Sequence, residues 1–368
     1  MKRLYQGNEA SAIGALDGRL DLFAGYPITP SSEILEVLSR EMPKRGKAFI
    51  QMEDEISSIA VIAAAGLSGK RALTATSGPG FALMQEGLSF ACMVESPCVI
   101  VNVMRGDPST GLPTHVGQGD YMQSKWGAHG DHPIIVFSPG SVQEFYWLTR
   151  FSLDISMYFR NPVVILSDET IAHMRAEMER STPPFKFNFT PLPESDKPYD
   201  FKRDLIIPPR LGEGRGVKIT GLFHDEYGFP DADEENAQKL IDHLIRKVYS
   251  HKEELFYYEE DTKDKNVILI SFGIMGTVIK EVKRRLEKNG IKAGFLRLIT
   301  LHPLDEDRIR ELLVKADFVF VVELNKGQLY LDIERIMKNR TKVHPINFVR
   351  GSVIPPEEIE NKILEVIK

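Results

Sequence analysis

GYPITPSSEILE, residues 25–36, decides how this chain folds. The apolar run LDLFA leads into it, and Ile34, Leu35 and Leu38 continue at helical spacing. Between them a glycine and two prolines rule out a continuing strand or helix and mark a tight turn. Ser31 or Ser32 then stands where a helix N-cap belongs. The stretch reads as strand, turn, helix, with Thr29 held between Pro27 and Pro30.

The same unit recurs outward from it. Apolar runs follow at residues 48–52, 72–76, 98–104, 133–137 and 162–166, with helical patterns between them. Ser141 with Glu144 three residues on reads as a capping box for a long helix. Strands alternating with helices predict a parallel sheet covered on both faces. From residue 183 to 262 the texture changes to proline, glycine and charge, as expected of a linker or extended arm. Within it ITGLFHDEYGFPDADEEN reads as a solvated loop before a helix at 237–248. Its Asp231, Asp233 and Glu234 lack the ligand spacing of a calcium loop. From residue 263 the alternation resumes, with strands VILISF, GFLRLI, FVFVVEL and HPINFV and helices at 277–288, 305–314, 328–338 and 356–366. SFGIMG has two glycines three apart rather than a dinucleotide fingerprint, so it reads as a turn. The expected fold class is α/β with two doubly wound domains, 1–182 and 263–368, joined by 183–262.

Composition narrows the function. The 368 residues are 42% hydrophobic and 27% charged, and 46 basic against 52 acidic side chains leave a net charge of −6. Nothing there calls for nucleic acid or an anionic membrane. No apolar stretch reaches the length of a membrane span and the N-terminus lacks a signal-peptide core, so the expected location is the cytoplasm. Cys92 and Cys98 are too few for an iron–sulfur cluster or structural zinc and read as small buried hydrophobes.

In an open parallel sheet, ligands bind beyond the carboxyl ends of the strands. Here those ends are GYPITPSS, QMEDE, TATSGPG and NVMRGDPSTGLPTHVGQ, all small, polar or glycine-rich. Glu53 and Asp54 read as acidic residues complementing a helix N-terminus. Glu55 stands next to the apolar face that begins at Ile56, and a carboxylate so near a core needs a partner. The TSGPG turn presents backbone amides at another helix start, although many tight turns read alike. Arg105 opens a long polar loop and suits an anion.

GYPITPSSEI, QMEDEISSIA, TATSGPGF and PSTGLPT, in that order, resemble the alpha subunit of the 2-oxoacid:ferredoxin oxidoreductases, closest to the 2-oxoglutarate type. The similarity runs nearly the whole chain, through TGLFHDEYGFP to VVELNKGQL. It implies a thiamine-diphosphate pyrimidine-binding domain followed by a transketolase-C-like domain. It assigns Tyr26, Pro27, Glu55, Ser77 and Gly78 to the cofactor. Glu55 would hydrogen-bond the pyrimidine ring nitrogen, so that the imino tautomer can take up the thiazolium proton. Thr29 would meet the substrate, and Arg105, Thr114 and His115 would bind its acid group or tail. His115 stands where relatives often carry a fully charged base, and histidine is only partly charged near neutrality.

The resemblance also implies what the chain lacks. No GDG…N motif for magnesium-bound diphosphate and no cysteine cluster is present in the sequence, so no metal is expected on it. A beta subunit would bring the diphosphate site and magnesium, and gamma and delta subunits the iron–sulfur relay to ferredoxin. The implied reaction is oxidative decarboxylation of a 2-oxoacid to acyl-CoA. Alternatives are a non-catalytic assembly paralogue, or an enzyme for pyruvate or branched-chain 2-oxoacids. A self-sufficient nucleotide-binding oxidoreductase is disfavoured by the missing fingerprint. What Glu323 does beyond ending a strand stays open.

Overall fold

The apolar runs of the first half become one sheet. A computed structural model describes residues 2–338 and 342–367. Among them the strand order is Thr300–His302, Ile135–Phe137, Pro162–Asp168, Cys98–Met104, Ala72–Thr76, Leu22–Gly25, Ala48–Gln51. Every pairing is parallel except that of Thr300–His302, which arrives from the second half and pairs antiparallel with Ile135–Phe137. The interior strands Ala72–Thr76, Cys98–Met104 and Pro162–Asp168 are buried end to end, as strands covered on both faces must be. Ile100 and Val164 face one core; Val99, Val101 and Val163 face the other.

The second sheet runs Val343–Asn347, Phe318–Glu323, Val267–Phe272, Ala293–Leu298, Tyr258–Asp261, antiparallel only at the last. Ile268, Ile270 and Leu296 from this sheet share a core with Ile62, Phe81 and Leu88 from helices of the first. The fold class is α/β with two doubly wound domains, and polar bolts join them. The Asp168 carboxylate accepts from Ile274 N at 2.7 Å, Tyr121 donates to Asp332 at 2.7 Å, and buried Gln118 exchanges hydrogen bonds with Leu324 N and Phe272 O. Glu323 ends its strand completely buried and accepts from Leu329 N and Tyr330 N, both at 2.9 Å, at the start of the helix Gln328–Met337.

Several details depart from the sequence reading. Lys2–Gln6 and Arg175–Glu179 form a separate antiparallel ribbon that their polar, charged sequences do not announce. Tyr258–Asp261, inside the expected connecting segment, is a strand of the second sheet. Ser141 accepts from Glu144 N at 3.2 Å, but Glu144 does not close the box. Its carboxylate turns to Gly140 N at 2.7 Å and to buried Arg297 at 2.6 Å. Ser31 occupies the N-cap yet donates back to Ile28 O instead of capping. The arm is pinned by its alternating phenylalanines: Phe185 lies 5.1 Å from Tyr257, and Phe187 5.5 Å from Phe159. In the loop beyond it His224 is wholly buried, 4.1 Å from the Tyr199 ring, while Leu222, Phe223, Tyr227 and Phe229 stay exposed. Cys92 and Cys98 are buried and free, and burial raises both thiols. No helix among the described residues is long and apolar enough to cross a membrane.

Candidate active site

Strand Leu22–Gly25 has Ala48–Gln51 on one side and Ala72–Thr76 on the other. The chain therefore reverses direction across the sheet at this strand, and a crevice opens beyond its carboxyl end. The 26–31 turn, the start of the helix Glu55–Leu67 and the start of the helix Gly78–Leu83 surround that crevice.

Glu55 is the first residue of the helix Glu55–Leu67, whose N-cap Asp54 accepts from Ser57 N and Oγ, both at 2.7 Å. Glu55 itself is 4% exposed. Its side-chain hydrogen bond comes from Thr76 Oγ1, at 3.4 Å, and among the described residues no Lys, Arg or His pairs with it. Burial raises its proton affinity, against its own backbone amide and Thr76. Gly80 packs directly on this carboxylate. A Cβ there would lie 2.0 Å from Glu55 Oε1 and 2.2 Å from Thr76 Oγ1, so only glycine admits the approach.

Across the crevice Arg105, 8% exposed, donates through Nη1 to Thr29 O at 2.7 Å. Burial pulls the guanidinium down from its ordinary value, and the charge of Asp120 opposes that. Asp120 accepts from Asn102 Nδ2 at 2.9 Å, and burial raises its carboxyl to about 6. Gly78, Pro79, Arg105, Asp107, Asp120 and Gln328 line a cleft of about 340 Å³.

Ser77 Oγ, Asn102 Oδ1 and Arg105 Nε are buried without a hydrogen-bond partner among the described residues. Buried polar atoms are normally satisfied, so these three have hydrogen-bonding capacity left for a ligand. A planar heterocycle with a basic ring nitrogen fits: Glu55 offers an unpaired carboxylate, Gly80 leaves room beside it, and Ser77 adds a free hydroxyl. The structure thus gathers Thr29, Glu55, Ser77, Gly78 and Arg105 at one crevice. Tyr26 and Pro27 are exposed on its rim. Thr114 and His115 lie on an exposed loop, joined by a 3.4 Å contact, and the His115 side chain rests against Gly351. Sequence reasoning missed Thr76, Gly80, Asn102 and Asp120. The asparagine inside CVIVNVM was the one legible signal, a polar residue in an otherwise apolar strand.

The 26–31 turn is held from below. Asn8 Nδ2 donates to Pro30 O and to Glu33 Oε2, both at 2.7 Å, and Glu33 faces His173 at 3.5 Å. The His173 bond brings Glu33 down to about 2, while bonds to Glu169 and then Glu33 lift His173 to about 9. The Glu33 contribution to stability is complete above pH 4.5 and is lost as pH falls toward about 2. That of His173 is complete below pH 6.5 and is lost as pH rises through about 9. Replacing His173 by alanine should flatten the alkaline limb of the melting temperature between those two values. A parent-like limb in a pH series of thermal melts would refute this anchor.

Residues 13–243 match the family described as pyruvate flavodoxin/ferredoxin oxidoreductase, thiamine diphosphate-binding, and residues 266–359 match pyruvate:ferredoxin oxidoreductase core domain II. The 2-oxoglutarate synthase subunit KorA of Methanocaldococcus jannaschii is 42% identical, over 98% of both chains. The ketoisovalerate oxidoreductase subunit VorB of Methanothermobacter marburgensis is 36% identical, over 99% of this chain and 97% of its own. The solved 2-oxoglutarate:ferredoxin oxidoreductase of Magnetococcus marinus, with 2-oxoglutarate, coenzyme A and succinyl-CoA bound, superposes with a TM-score of 0.93 at 32% identity. That match covers all of this chain and 65% of the longer one. By fold and by these matches, the chain belongs to the 2-oxoacid:ferredoxin oxidoreductase family, among its alpha subunits.

Proposed function

We propose that this chain is the alpha subunit of a thiamine-diphosphate-dependent 2-oxoacid:ferredoxin oxidoreductase that acts on 2-oxoglutarate, with coenzyme A taking the acyl group and ferredoxin the electrons. One observation carries the reading: a buried acid, Glu55, without a cation partner among the described residues, at the crevice where the sheet reverses. Thiamine diphosphate, when bound, supplies the electron sink for the carbon that loses carbon dioxide. Glu55 would hold the pyrimidine ring nitrogen through a charge-assisted bond, and its raised proton affinity suits a group that shares a proton. Thr76 and Gly80 position that carboxylate. Arg105, with Nη1 committed to Thr29 O, keeps other N–H groups for a substrate carboxylate. The Thr29 hydroxyl stands exposed on the same turn, and Thr114 and His115 would reach only the distal end of a longer acid. A beta subunit would close the crevice with the diphosphate and magnesium, and gamma and delta subunits would carry the iron–sulfur relay. The two cysteines here are both buried, which supports placing that relay elsewhere.

The VorB relative favours a second reading, a branched-chain 2-oxoacid as substrate. A panel on the co-purified complex separates them, with viologen reduction followed for 2-oxoglutarate, pyruvate and 3-methyl-2-oxobutanoate, each with coenzyme A. 2-Oxoglutarate should lead in kcat/KM by about tenfold or more, within what side-chain pockets achieve. A lead for the branched acid would overturn the substrate assignment, and activity of the isolated chain would overturn the subunit assignment.

A further inference from the structure

A second site lies at the opposite edge of the first sheet. Gly66 and Leu67 end the helix that Glu55 begins, and Pro97 and Arg160 stand just before the strands Cys98–Met104 and Pro162–Asp168. Under the proline-rich arm these residues line a pocket of about 90 Å³. Ile207 N to Pro193 O at 2.9 Å and Leu211 N to Leu67 O at 3.1 Å tie the arm over it. Its walls are apolar, with Leu67, Val94, Met157, Ile206, Val217 and Ile219.

One end is not apolar. Arg160, 7% exposed, and Tyr199, 1% exposed, line it, with the guanidinium 5.9 Å from the Tyr199 ring. Arg160 Nη2 donates to Pro198 O at 2.7 Å. Its Nη1 is ion-paired with Glu95 Oε2 at 3.6 Å but too far for a hydrogen bond, and among the described residues both Nη1 and Tyr199 Oη are buried without a hydrogen-bond partner. Glu95 cannot turn to satisfy them. Its oxygens are held by Lys247 Nζ and His243 Nε2, each at 2.9 Å. Behind His243, Asp204 pairs with Arg246 at 2.6 Å. Arg246 is spent on Asp204 and Asp242, so Arg160 and Lys247 face the single carboxylate of Glu95 before His243 is counted, and the cluster favours an anion. Glu95 and Arg160 also sit at φ 50° and 49°, in the left-handed region where non-glycine residues persist only under constraint.

We infer that this cavity binds a short-chain carboxylate, its head accepting from Arg160 Nη1 and Tyr199 Oη and its alkyl tail lying against Val94, Met157 and Val217. At ~10–15 Å³ for each water-sized group, the space suits roughly six to nine heavy atoms. Butanoate has that size. The inference does not depend on the chemistry at Glu55.

Sodium butanoate titrated into the full chain by calorimetry, against butan-1-ol, tests it. Removing Arg160 strips a cation from buried Glu95 and endangers the fold, so Tyr199→Phe and Val217→Phe are the informative variants, each checked by its melting temperature. Butanoate should bind saturably, with the alcohol at least about tenfold weaker. Tyr199→Phe should weaken butanoate about tenfold, and Val217→Phe, which fills the tail space, should abolish it. Arg105→Lys should leave it unchanged. No saturable binding up to about 20 mM overturns the site. So does equal affinity for the alcohol, parent-like binding in either cavity variant, or loss in Arg105→Lys, which would move the ligand to the Thr29 crevice.

Discussion

Glu55→Gln, assayed in the reconstituted complex, is expected to cut kcat about 10²–10⁴-fold, the range of a proton-transfer group, while raising the melting temperature of the chain itself. Both effects come from one feature. The carboxylate is buried, with one long side-chain hydrogen bond from Thr76 and no cation beside it among the described residues, and burial raises its proton affinity. A carboxyl whose folded pKa lies above its ordinary 4.5 costs the fold stability as pH climbs from there through the raised value. Glutamine keeps the shape and the Thr76 contact, removes the charge, and so removes that cost. The stability gap between variant and parent should therefore widen as pH rises above 4.5. A structural acid would behave oppositely, with its removal loosening the fold and sparing turnover. If the variant keeps more than about a tenth of parental kcat, Glu55 is not the group that shares the proton, and an assembly role becomes the better account.

The fold was legible because its signals are local. Apolar runs of five to seven residues bounded by glycine, proline or serine fix the buried parallel strands almost to the residue, as at Ala72–Thr76 and Cys98–Met104. The ribbon Lys2–Gln6 with Arg175–Glu179 was not legible, since KRLYQ and RAEME pair across most of a domain and carry no apolar alternation. Glu144 shows the same limit. Its spacing from Ser141 is that of a capping box, but Arg297, 153 residues away, takes its carboxylate. Candidate residues on the loops could be read from strand-end composition. What could not be read is which polar atoms the packing leaves unsatisfied. Ser77 and Arg105 were visible as candidates, while Asp120 became visible only once Asn102 and the Gly78 turn stood beside it.

Gly80 carries the sharpest test of how that packing serves the site. In TSGPG it looks like one more turn glycine, yet a Cβ on it would meet Glu55 Oε1 at 2.0 Å, Thr76 Oγ1 at 2.2 Å and Glu55 Cδ at 2.4 Å. Thr76 is β-branched, on a buried strand, and has little freedom to turn. The Glu55 side chain is the part that can give way. Gly80→Ala should therefore leave a folded chain, destabilised by about 1–3 kcal/mol as overpacking usually does, with the carboxylate pushed out of register and kcat down about 10²-fold or more. Gly87→Ala is the control, because its Cβ would meet Ile59 Cγ2 at 2.5 Å where the next helix, Gln85–Met93, packs on Glu55–Leu67, one turn beyond the acid. It should lose comparable stability and keep its turnover. Combining Gly80→Ala with Glu55→Gln then isolates the cause. If the alanine acts by displacing Glu55, the double variant is no slower than Glu55→Gln alone. Multiplicative losses would mean that Gly80 serves the reaction by some contact other than the acid it crowds.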